Sequence, residues 1–340
     1  MIEPSNQKLK LLYILEMFRR ESDEDHPISS NDIVFLLEKK GVTSERKSIY
    51  RDVCALREFG LDVIETRIPK RGWFLASREF ELAEVRLLVD AVQNARFITP
   101  KKTNELTVKL QALVSDYQAR NFGRKSLMGK RVKYSNEEIL YSINSIHSAI
   151  CNKKKISFKY SHRTIKNGAK TTTPSKEYVV SPFAMTWVND HYYLIGNTDR
   201  HPVAHFRLDR IKKVNILCDK AESFRDVTEY KDFFDVSDYV SKSVNMFSGE
   251  LIKMQARCGI KVTEIILDYF GDNVTVKSSD SDTFTFEVEV AQSRGLVSWI
   301  MSIETLEVLE PAGLREMIAD RVNELNKIYS HIPNFASGAD

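Results

Sequence analysis

The sequence predicts a multidomain α+β protein, and three observations support this fold class. The chain has 340 residues, more than one ordinary hydrophobic core holds, so two or three domains are expected. Apolar residues at helical spacing dominate its first part, whereas its middle carries several short segments in which apolar and polar residues alternate. Its last part alternates strand-like with helix-like segments.

Composition and the first residues indicate a cytoplasmic protein that does not associate with membranes. Hydrophobic residues make up 42% of the chain and charged residues 29%, as in soluble globular proteins. No apolar run approaches the length of a membrane span, and residues 1–5 lack the basic start and apolar core of a signal peptide. The four cysteines form no Cys-x-x-Cys pair, so we expect free thiols and neither a zinc knuckle nor a disulfide framework.

Charge is distributed unevenly along the chain, although the net charge is only +3. Residues 1–75 hold 13 basic and 13 acidic side chains. Residues 96–218 hold 23 basic and 8 acidic side chains, whereas residues 219–340 hold 12 basic and 22 acidic ones. A positive middle attracts polyanions, and an acidic end repels them or docks on a basic surface of a partner.

Residues 1–78 have the layout of a winged helix-turn-helix domain. Helical spacing predicts helices over 8–18, over a second segment that ends at Gly41, and over 44–56, and a basic hairpin follows with its tip at 69–72. In such a domain the third helix enters the major groove and the hairpin contacts phosphates. We therefore expect binding to double-stranded DNA. The predicted DNA-binding residues are Arg46, Lys47, Ser48, Tyr50, Arg51, Lys70 and Arg71. The alternative is a small helical domain used only for protein contacts.

Residues 79–134 are predicted to form a helical connector. Two apolar stripes, one over 82–92 and one over 106–117, are separated by Thr99-Pro100. The stripes favour a homodimer, because two DNA half-sites give more discrimination than one; alternatively they pack only within the chain. Residues 120–133 carry six basic side chains and two glycines, and we expect an exposed hinge there.

Residues 135–218 are predicted to form a small sensor domain built on a strongly bent, SH3-like or Sm-like β-barrel. A helix over 137–151 precedes several short strands linked by hairpins, one with its turn at Lys166-Asn167-Gly168. The central strands are 191–196 and 206–211. Adjacent Tyr192 and Tyr193 place one phenol on each face of the sheet.

Two arginines follow these tyrosines, and together they suit a planar or anionic ligand. Arg207 and Arg210 lie at opposite strand parity, so they leave by different faces if the strand continues unbroken. The predicted ligand-binding residues are Ser181, Tyr192, Tyr193, His205, Arg207 and Arg210. The alternative is a half-buried strand whose arginines are solvated or paired with carboxylates.

The tripeptide Tyr192-Tyr193-Leu194 and the downstream segment Phe206-Arg207-Leu208-Asp209-Arg210-Ile211 resemble the core of a WYL domain. WYL domains are ligand-sensing modules common in bacterial transcription regulators. The resemblance covers about residues 137–217 and includes Pro182 as the family's structural proline. It implies the barrel fold and an oligonucleotide or nucleotide effector. The segment 48–56 also resembles the recognition helix of DeoR-like regulators that carry WYL domains.

Residues 219–250 are predicted to be an acidic linker, and residues 251–332 a C-terminal α+β domain of ferredoxin-like layout. The order of strands and helices and the step Pro311-Ala312-Gly313-Leu314-Arg315 resemble the extension found behind WYL domains, which implies dimer contacts and ligand closure.

No motif for catalysis or phosphate binding is present: there is no phosphate loop, dinucleotide fingerprint, zinc-protease helix or nucleophile elbow. Pro202 lies between His201 and His205, which disfavours a helical metal site, and Asp199, His205 and Asp209 have simpler explanations as loop or strand-end groups. We therefore expect no catalysis, metal or cofactor. The favoured function is a homodimeric, ligand-controlled DNA-binding regulator. The alternative is an enzyme that processes nucleic acid or nucleotides and uses the winged helix as a substrate clamp.

Overall fold

The computed structural model describes residues 6–124, 133 and 136–330. The chain forms two compact units, Met1–Ser135 and Asn136–Asp340. Residues 125–132 of the predicted hinge lie outside the described residues.

The first unit consists of six helices and one hairpin within its described residues. Their bounds are α1 (Asn6–Glu21), α2 (Ser30–Lys39), α3 (Arg46–Glu58), β1 (Val63–Thr66), β2 (Gly72–Leu75), α4 (Leu82–Asn94), α5 (Pro100–Gln111) and α6 (Asp116–Arg124).

Helices α1 to α3 and the hairpin enclose one hydrophobic core. Ile49, Val53 and Leu56 of α3 are buried in it, as their spacing predicts. Helix α2 starts at a capping box in which Ser29 and Asp32 satisfy each other's backbone N–H groups. Strands β1 and β2 are antiparallel, and the bridge from Ile28 to Trp73 ties the loop before α2 to the hairpin.

Helices α4 to α6 pack mainly on one another and on α1. Val85, Val89 and Val114 form a small buried cluster. The stripe predicted over 106–117 is divided, because α5 ends at Gln111 and Ser115 starts the next turn by accepting a hydrogen bond from the N–H of Gln118. The connector contacts the loop after α1 through polar groups. These contacts are Ser115 Oγ to Asp23 Oδ2 at 2.5 Å, Arg20 Nε to Asp116 Oδ1 at 2.8 Å, and stacked rings of His26 and Tyr117 with centroids 3.8 Å apart.

The second unit contains the remaining elements. Their bounds are α7 (Ile139–Cys151), β3 (Lys154–Tyr160), β4 (Arg163–Lys166), β5 (Ala169–Thr172), β6 (Lys176–Val188), β7 (His191–Thr198), β8 (His201–Arg207), β9 (Ile211–Lys220), α8 (Phe224–Val227), α9 (Val236–Lys242), β10 (Leu251–Gly259), α10 (Thr263–Phe270), β11 (Thr275–Ser279), β12 (Thr283–Ala291), α11 (Arg294–Ile300), β13 (Glu307–Glu310) and α12 (Ala312–Tyr329).

The first sheet of this unit has the antiparallel order β8-β7-β6-β3-β9, with α7 packed on it. Strands β8 and β9 are its two edges, so the described residues form no closed barrel, in contrast to the predicted small barrel. The predicted turn is present: β4 and β5 are joined by Asn167 and Gly168, whose φ angles of 51° and 75° are typical of a tight hairpin.

A second sheet of order β11-β12-β10-β13 forms the end of the unit. Its elements follow the chain order β-α-β-β-α-β from β10 to β13, and α12 comes after them. The strands alternate between buried and partly exposed residues, so Met254, Phe286 and Val288 face a core closed by α10 and α11. Within the described residues, no helix has both the length and the apolar character that a membrane span needs.

Candidate functional sites

Helix α3 presents a basic and aromatic surface on the side opposite its buried residues. Arg46, Lys47, Tyr50 and Arg51 are exposed. The helix places them there because they alternate with Ile49 and Val53 at helical spacing. Two of them also contact the domain: Arg46 Nε donates to Ser30 Oγ at 3.3 Å, and the ring of Tyr50 packs edge-on against Trp73. This surface has the composition that major-groove contact requires.

Ser48 differs from its neighbours because it holds α3 against α1. The Nζ of the buried Lys10 donates to Ser48 Oγ at 2.5 Å and pairs with Asp52 Oδ2 at 2.6 Å. The Lys10 side chain is only 9% exposed, so its ammonium group has lost most of its contact with water. The hydrogen bond to Ser48 and the ion pair with Asp52 replace those lost interactions. Ser48 therefore has a structural bond that the sequence did not indicate.

Both predicted wing cations are paired with carboxylates of the same unit. Lys70 Nζ lies 2.9 Å from Asp32 Oδ2, and Arg71 Nη2 lies 3.3 Å from Glu65 Oε1. Partial burial acts to raise the pKa of Asp32, but hydrogen bonds from the Ser29 N–H and from Lys70 outweigh it, so this pKa lies below its usual value. The carboxylate therefore stays ionised. A phosphate that binds Lys70 has to compete with Asp32.

A cluster of tyrosines and arginines forms where β7, β8 and β3 meet. Tyr193 lies directly opposite Arg207 in the antiparallel register. The hydroxyl oxygen of Tyr160, at the end of β3, accepts a hydrogen bond from the backbone N–H of Arg207 at 3.2 Å. The guanidinium of Arg210 lies close enough to the Tyr160 hydroxyl to act on the pKa of that phenol. The structure thus brings together Tyr193, Arg207 and Arg210 from the predicted ligand site.

Arg207 and Arg210 are expected on opposite faces only if their strand continues unbroken, and this condition is not met. A single 3-10 turn over Leu208–Arg210 separates β8 from β9. Leu208 is fully buried, which anchors this turn. The interruption changes the direction of the backbone, so Arg207 and Arg210 both act on Tyr160 and Tyr193.

Arg207 is held by a carboxylate. Its Nε and Nη2 lie 3.0 and 3.1 Å from the two oxygens of Asp209, a bidentate pair. The Asp209 side chain is 3% exposed and that of Arg207 18% exposed. Arg210 has a different partner, because its Nη1 lies 3.2 Å from His162 Nδ1. The two guanidinium groups of this cluster therefore differ, because Arg207 is paired with a carboxylate and Arg210 contacts a histidine ring.

Burial raises the pKa of both phenols in the cluster, although the arginines act in the opposite direction. Tyr160 and Tyr193 therefore keep their protons at neutral pH and remain hydrogen-bond donors. Neutral phenols beside guanidinium groups can bind a phosphate or carboxylate and stack on a planar group.

Two of the predicted ligand residues make hydrogen bonds within the domain. Ser181 is 2% exposed, and its Oγ accepts a hydrogen bond from the Glu222 N–H at 2.9 Å. His205 Nδ1 lies 2.8 Å from the carbonyl oxygen of Met246, and its Nε2 lies 2.9 Å from the Tyr239 hydroxyl. Nδ1 therefore carries the proton and donates it to the carbonyl, and Nε2 accepts from Tyr239. Burial lowers the pKa of His205, which keeps the ring neutral.

Tyr192 lies on the face opposite Tyr193, as the period of a strand predicts. Its register partner is Trp187 of β6. It therefore does not join the cluster of Tyr193 and Arg207. Sequence reasoning also missed Tyr160 and His162. The signal for Tyr160 was its place at the end of an alternating strand, but only the pairing of Tyr160 with Ile211 brings it to the arginines.

Titratable groups elsewhere give no metal centre in the part of the chain that the structure describes: no three His, Cys, Asp or Glu side chains there come together in a way that could hold a metal ion.

Comparisons with known proteins identify two domains. Residues 142–216 match the WYL domain, and residues 255–325 match the WCX domain. The resemblance based on Tyr192-Tyr193-Leu194 and on the segment 206–211 is therefore confirmed, and a second domain follows where the C-terminal extension was predicted. A search of curated proteins gave no match.

Two solved structures resemble the chain over most of its length. Proteasome accessory factor B/C (PafBC) of Arthrobacter aurescens is 15% identical, with 96% of this chain and 49% of that chain covered and a TM-score of 0.29. The chain therefore spans about half the length of PafBC. A CRISPR Cas-related protein is 11% identical, with 96% and 84% covered and a TM-score of 0.36.

Proposed function

We propose that this chain, in which a WYL domain is followed by a WCX domain, is a sequence-specific DNA-binding transcription regulator controlled by an anionic ligand. The observation that carries the DNA-binding part is the exposed basic surface of α3 in a three-helix domain with a basic hairpin. WYL and WCX domains behind that surface support a regulator rather than an enzyme. We therefore propose no catalytic activity.

The DNA-binding surface consists of α3 and the hairpin tip. Arg46, Lys47 and Arg51 supply the base and phosphate contacts of the helix, with Tyr50 beside them, and Lys70 and Arg71 contact the backbone. Ser48 contributes by fixing α3 on α1 through Lys10. Because the wing cations are paired with Asp32 and Glu65, part of their attraction to phosphate is offset before DNA arrives.

The test of DNA binding is to sequence the genomic fragments that the purified chain captures, then measure affinity for the enriched site by gel shift. Replacing Arg46, Lys47 and Arg51 with Ala should abolish binding, since each lost base contact costs about 1–3 kcal/mol. A charge-matched control replaces Lys40, Lys101 and Lys109, three exposed lysines of the same unit. Equal affinity of the two triple variants would contradict the proposal.

The ligand site that we propose is the cluster of Tyr160, Tyr193, Arg207 and Arg210. Phenol donors and guanidinium groups side by side favour a ligand with phosphates and a planar base, so we propose an oligonucleotide or nucleotide effector. Ser181 and His205 support the domain from inside.

Arg210 is the arginine to test, because removing it leaves no buried carboxylate without a partner. Arg210→Ala should weaken binding of a short single-stranded oligothymidylate, followed by calorimetry, with little change in melting temperature. Arg200→Ala, an exposed arginine in the turn after β7, is the control. Unchanged affinity of the Arg210 variant would remove this residue from the site. Loss of the oligonucleotide itself on incubation with magnesium would favour the nucleic-acid-processing enzyme instead.

We also propose the finer architecture and a homodimer. The bent first sheet corresponds to an incomplete SH3-like or Sm-like barrel, and the β-α-β-β-α-β order from β10 to β13 corresponds to a ferredoxin-like domain. We propose domain limits at 1–78, 79–134, 135–218, 219–250 and 251–332, although β9 continues two residues past the third limit, to Lys220. Leu87, which is 71% exposed on α4, supports pairing of connectors between two chains. Leu87→Glu should lower the mass found by sedimentation equilibrium. Ile165→Glu, at an exposed position in the β4–β5 hairpin, is the control.

A further inference from the structure

A cavity of about 780 Å³ lies within the second unit, away from the tyrosine–arginine cluster. It is bounded by the edge strand β8, by the linker, by the start of β10 and by the end of β12. The volume is in the range that holds a small organic molecule. Residues of all three segments form its walls, among them Val203 of β8, Asp226 and Glu229 of the linker, and Leu251 of the second sheet.

Acidic side chains outnumber the one lysine at this cavity. Lys242 Nζ lies 2.8 Å from Glu229 Oε1, 3.0 Å from Asp238 Oδ2 and 2.9 Å from Glu289 Oε2. Burial acts to lower the pKa of Lys242, but these three carboxylates outweigh it and raise that pKa above its usual value. One ammonium is thus shared among three carboxylates, which leaves an excess of negative charge.

Asp226 adds a further carboxylate to the wall. It is exposed, and within the described residues its carboxylate makes no hydrogen bond or ion pair. Asp226 and Glu229 both line the cavity and lie three residues apart, Asp226 on α8 and Glu229 just beyond the end of that helix at Val227, so a positive group placed between them gains from both.

Apolar and aromatic side chains form much of the remaining wall, beside the hydroxyl groups of Thr228, Ser243 and Ser248. Val203, Val227, Leu251 and Ala291 supply hydrocarbon surface, and the ring of Tyr239 stands beside them. The Tyr239 hydroxyl is bonded to His205, and the Tyr230 hydroxyl donates to Asp238 at 2.6 Å. Both rings are therefore fixed in position. Rings held beside carboxylates attract cations through their π faces.

We propose that this cavity binds a small organic cation, with its amino group at Asp226 and Glu229 and its apolar or aromatic body along Val203, Val227 and Leu251. The charge preference is opposite to that of the tyrosine–arginine cluster, so the two sites take different ligands. An occupant contacts β8, the linker and the second sheet at once, and therefore stabilises their packing. This proposal does not depend on DNA binding or on the anionic effector.

The test compares two probes with the same aromatic body and opposite charge. Tryptamine is the cation and indole-3-acetate the anion, and both are titrated into the full chain by ligand-observed saturation-transfer NMR. Tryptamine should bind and indole-3-acetate should not. Asp226→Asn should weaken tryptamine about tenfold, which corresponds to ~1.4 kcal/mol. Asp268→Asn, which neutralises an exposed carboxylate on α10, is the matched control and should leave the affinity unchanged.

A second variant tests the location independently of charge. Leu251 is 41% exposed at the rim, so Leu251→Trp should be tolerated by the fold while its larger ring fills the space and blocks tryptamine. A melting temperature near that of the unchanged chain verifies that the variant is folded. Equal binding of the two probes, or full tryptamine affinity in both the Asp226 and the Leu251 variants, would overturn the proposal.

Discussion

The pairing of Arg207 with Asp209 predicts that the central arginine of the WYL domain is needed for folding as well as for ligand contact. Arg207→Ala removes both guanidinium bonds, at 3.0 and 3.1 Å, and leaves a carboxylate that is only 3% exposed without its cation. Breaking a buried pair in this way costs about 3–5 kcal/mol. Because the Arg207 side chain is 18% exposed, we expect the lower end, about 3 kcal/mol.

The assay is thermal unfolding of the full chain, followed through the transition of the second unit. For a unit of this size, each kcal/mol shifts the melting temperature by about 2–4 °C, so Arg207→Ala should lower it by about 6–12 °C. Arg210→Ala is the matched control, since Arg210 has His162 rather than a carboxylate as its partner. It should lower the melting temperature by about 2–4 °C, because one exposed hydrogen bond contributes about 1 kcal/mol.

A double variant separates loss of the pair from loss of packing. Replacing Arg207 and Asp209 together leaves no uncompensated charge, so the double variant should be less destabilised than the sum of the two single variants, by about 2 kcal/mol. If Arg207→Ala melts with the unchanged chain, the guanidinium does not support Asp209. Arg207 would then be a pure ligand contact, and the structural role argued from the bidentate geometry would be refuted.

Three further predictions concern interior contacts. Burial lowers the pKa of His205, so below pH ~6.5 the unfolded chain binds more protons than the folded one. The melting temperature should therefore fall when the pH is lowered from about 7.5 to about 5.5, and His205→Gln should reduce that fall. Gly196→Ala places a methyl group 2.5 Å from a carbonyl oxygen of the facing strand and should cost about 1–3 kcal/mol in denaturant unfolding, whereas Gly313→Ala has room and should be neutral. Lys10→Met leaves Asp52 without its cation and should destabilise the first unit by about 2 kcal/mol and weaken DNA binding, measured by melting and gel shift.

Local patterns predicted most of the elements of this fold. The alternation of apolar residues located β7, and Asn167-Gly168 identified a hairpin turn from the φ angles that those residues tolerate. The strand predicted over 206–211 instead covers the end of β8, a 3-10 turn and the start of β9. In the C-terminal part, the predicted segments follow the observed order of strands and helices from Leu251 to Tyr329. These features depend on neighbours in sequence, which is why the sequence alone reveals them.

The candidate ligand site was only partly predictable from the sequence. Whether a polar side chain is free to bind a ligand depends on hydrogen-bond partners that are distant in sequence. Ser181 and His205 carry polar groups that could contact a ligand, but both are hydrogen-bonded within the domain. The partner of Ser181 is Glu222 and that of His205 is the linker residue Met246, each 41 residues away in the chain. The same limit applies to Ser48, whose partner Lys10 lies on another helix. Strand parity does not extend to Arg210, because a turn of 3-10 helix interrupts the strand and is too short to leave a periodic signal in the sequence.

Strand β8 contacts both the linker and the tyrosine–arginine cluster. His205 and Arg207 are two residues apart and therefore lie on the same face, about 7 Å from each other along the strand. One of them holds the linker through Met246 and Tyr239, and the other pairs with Asp209 at the tyrosine–arginine cluster. We propose that an anion bound at the tyrosine–arginine cluster competes with Asp209 for Arg207 and thereby acts on the strand that holds the linker. Such a ligand can shift the packing of the linker only if it binds two arrangements with different affinity, and competition for the Arg207 guanidinium is a physical source of such a difference.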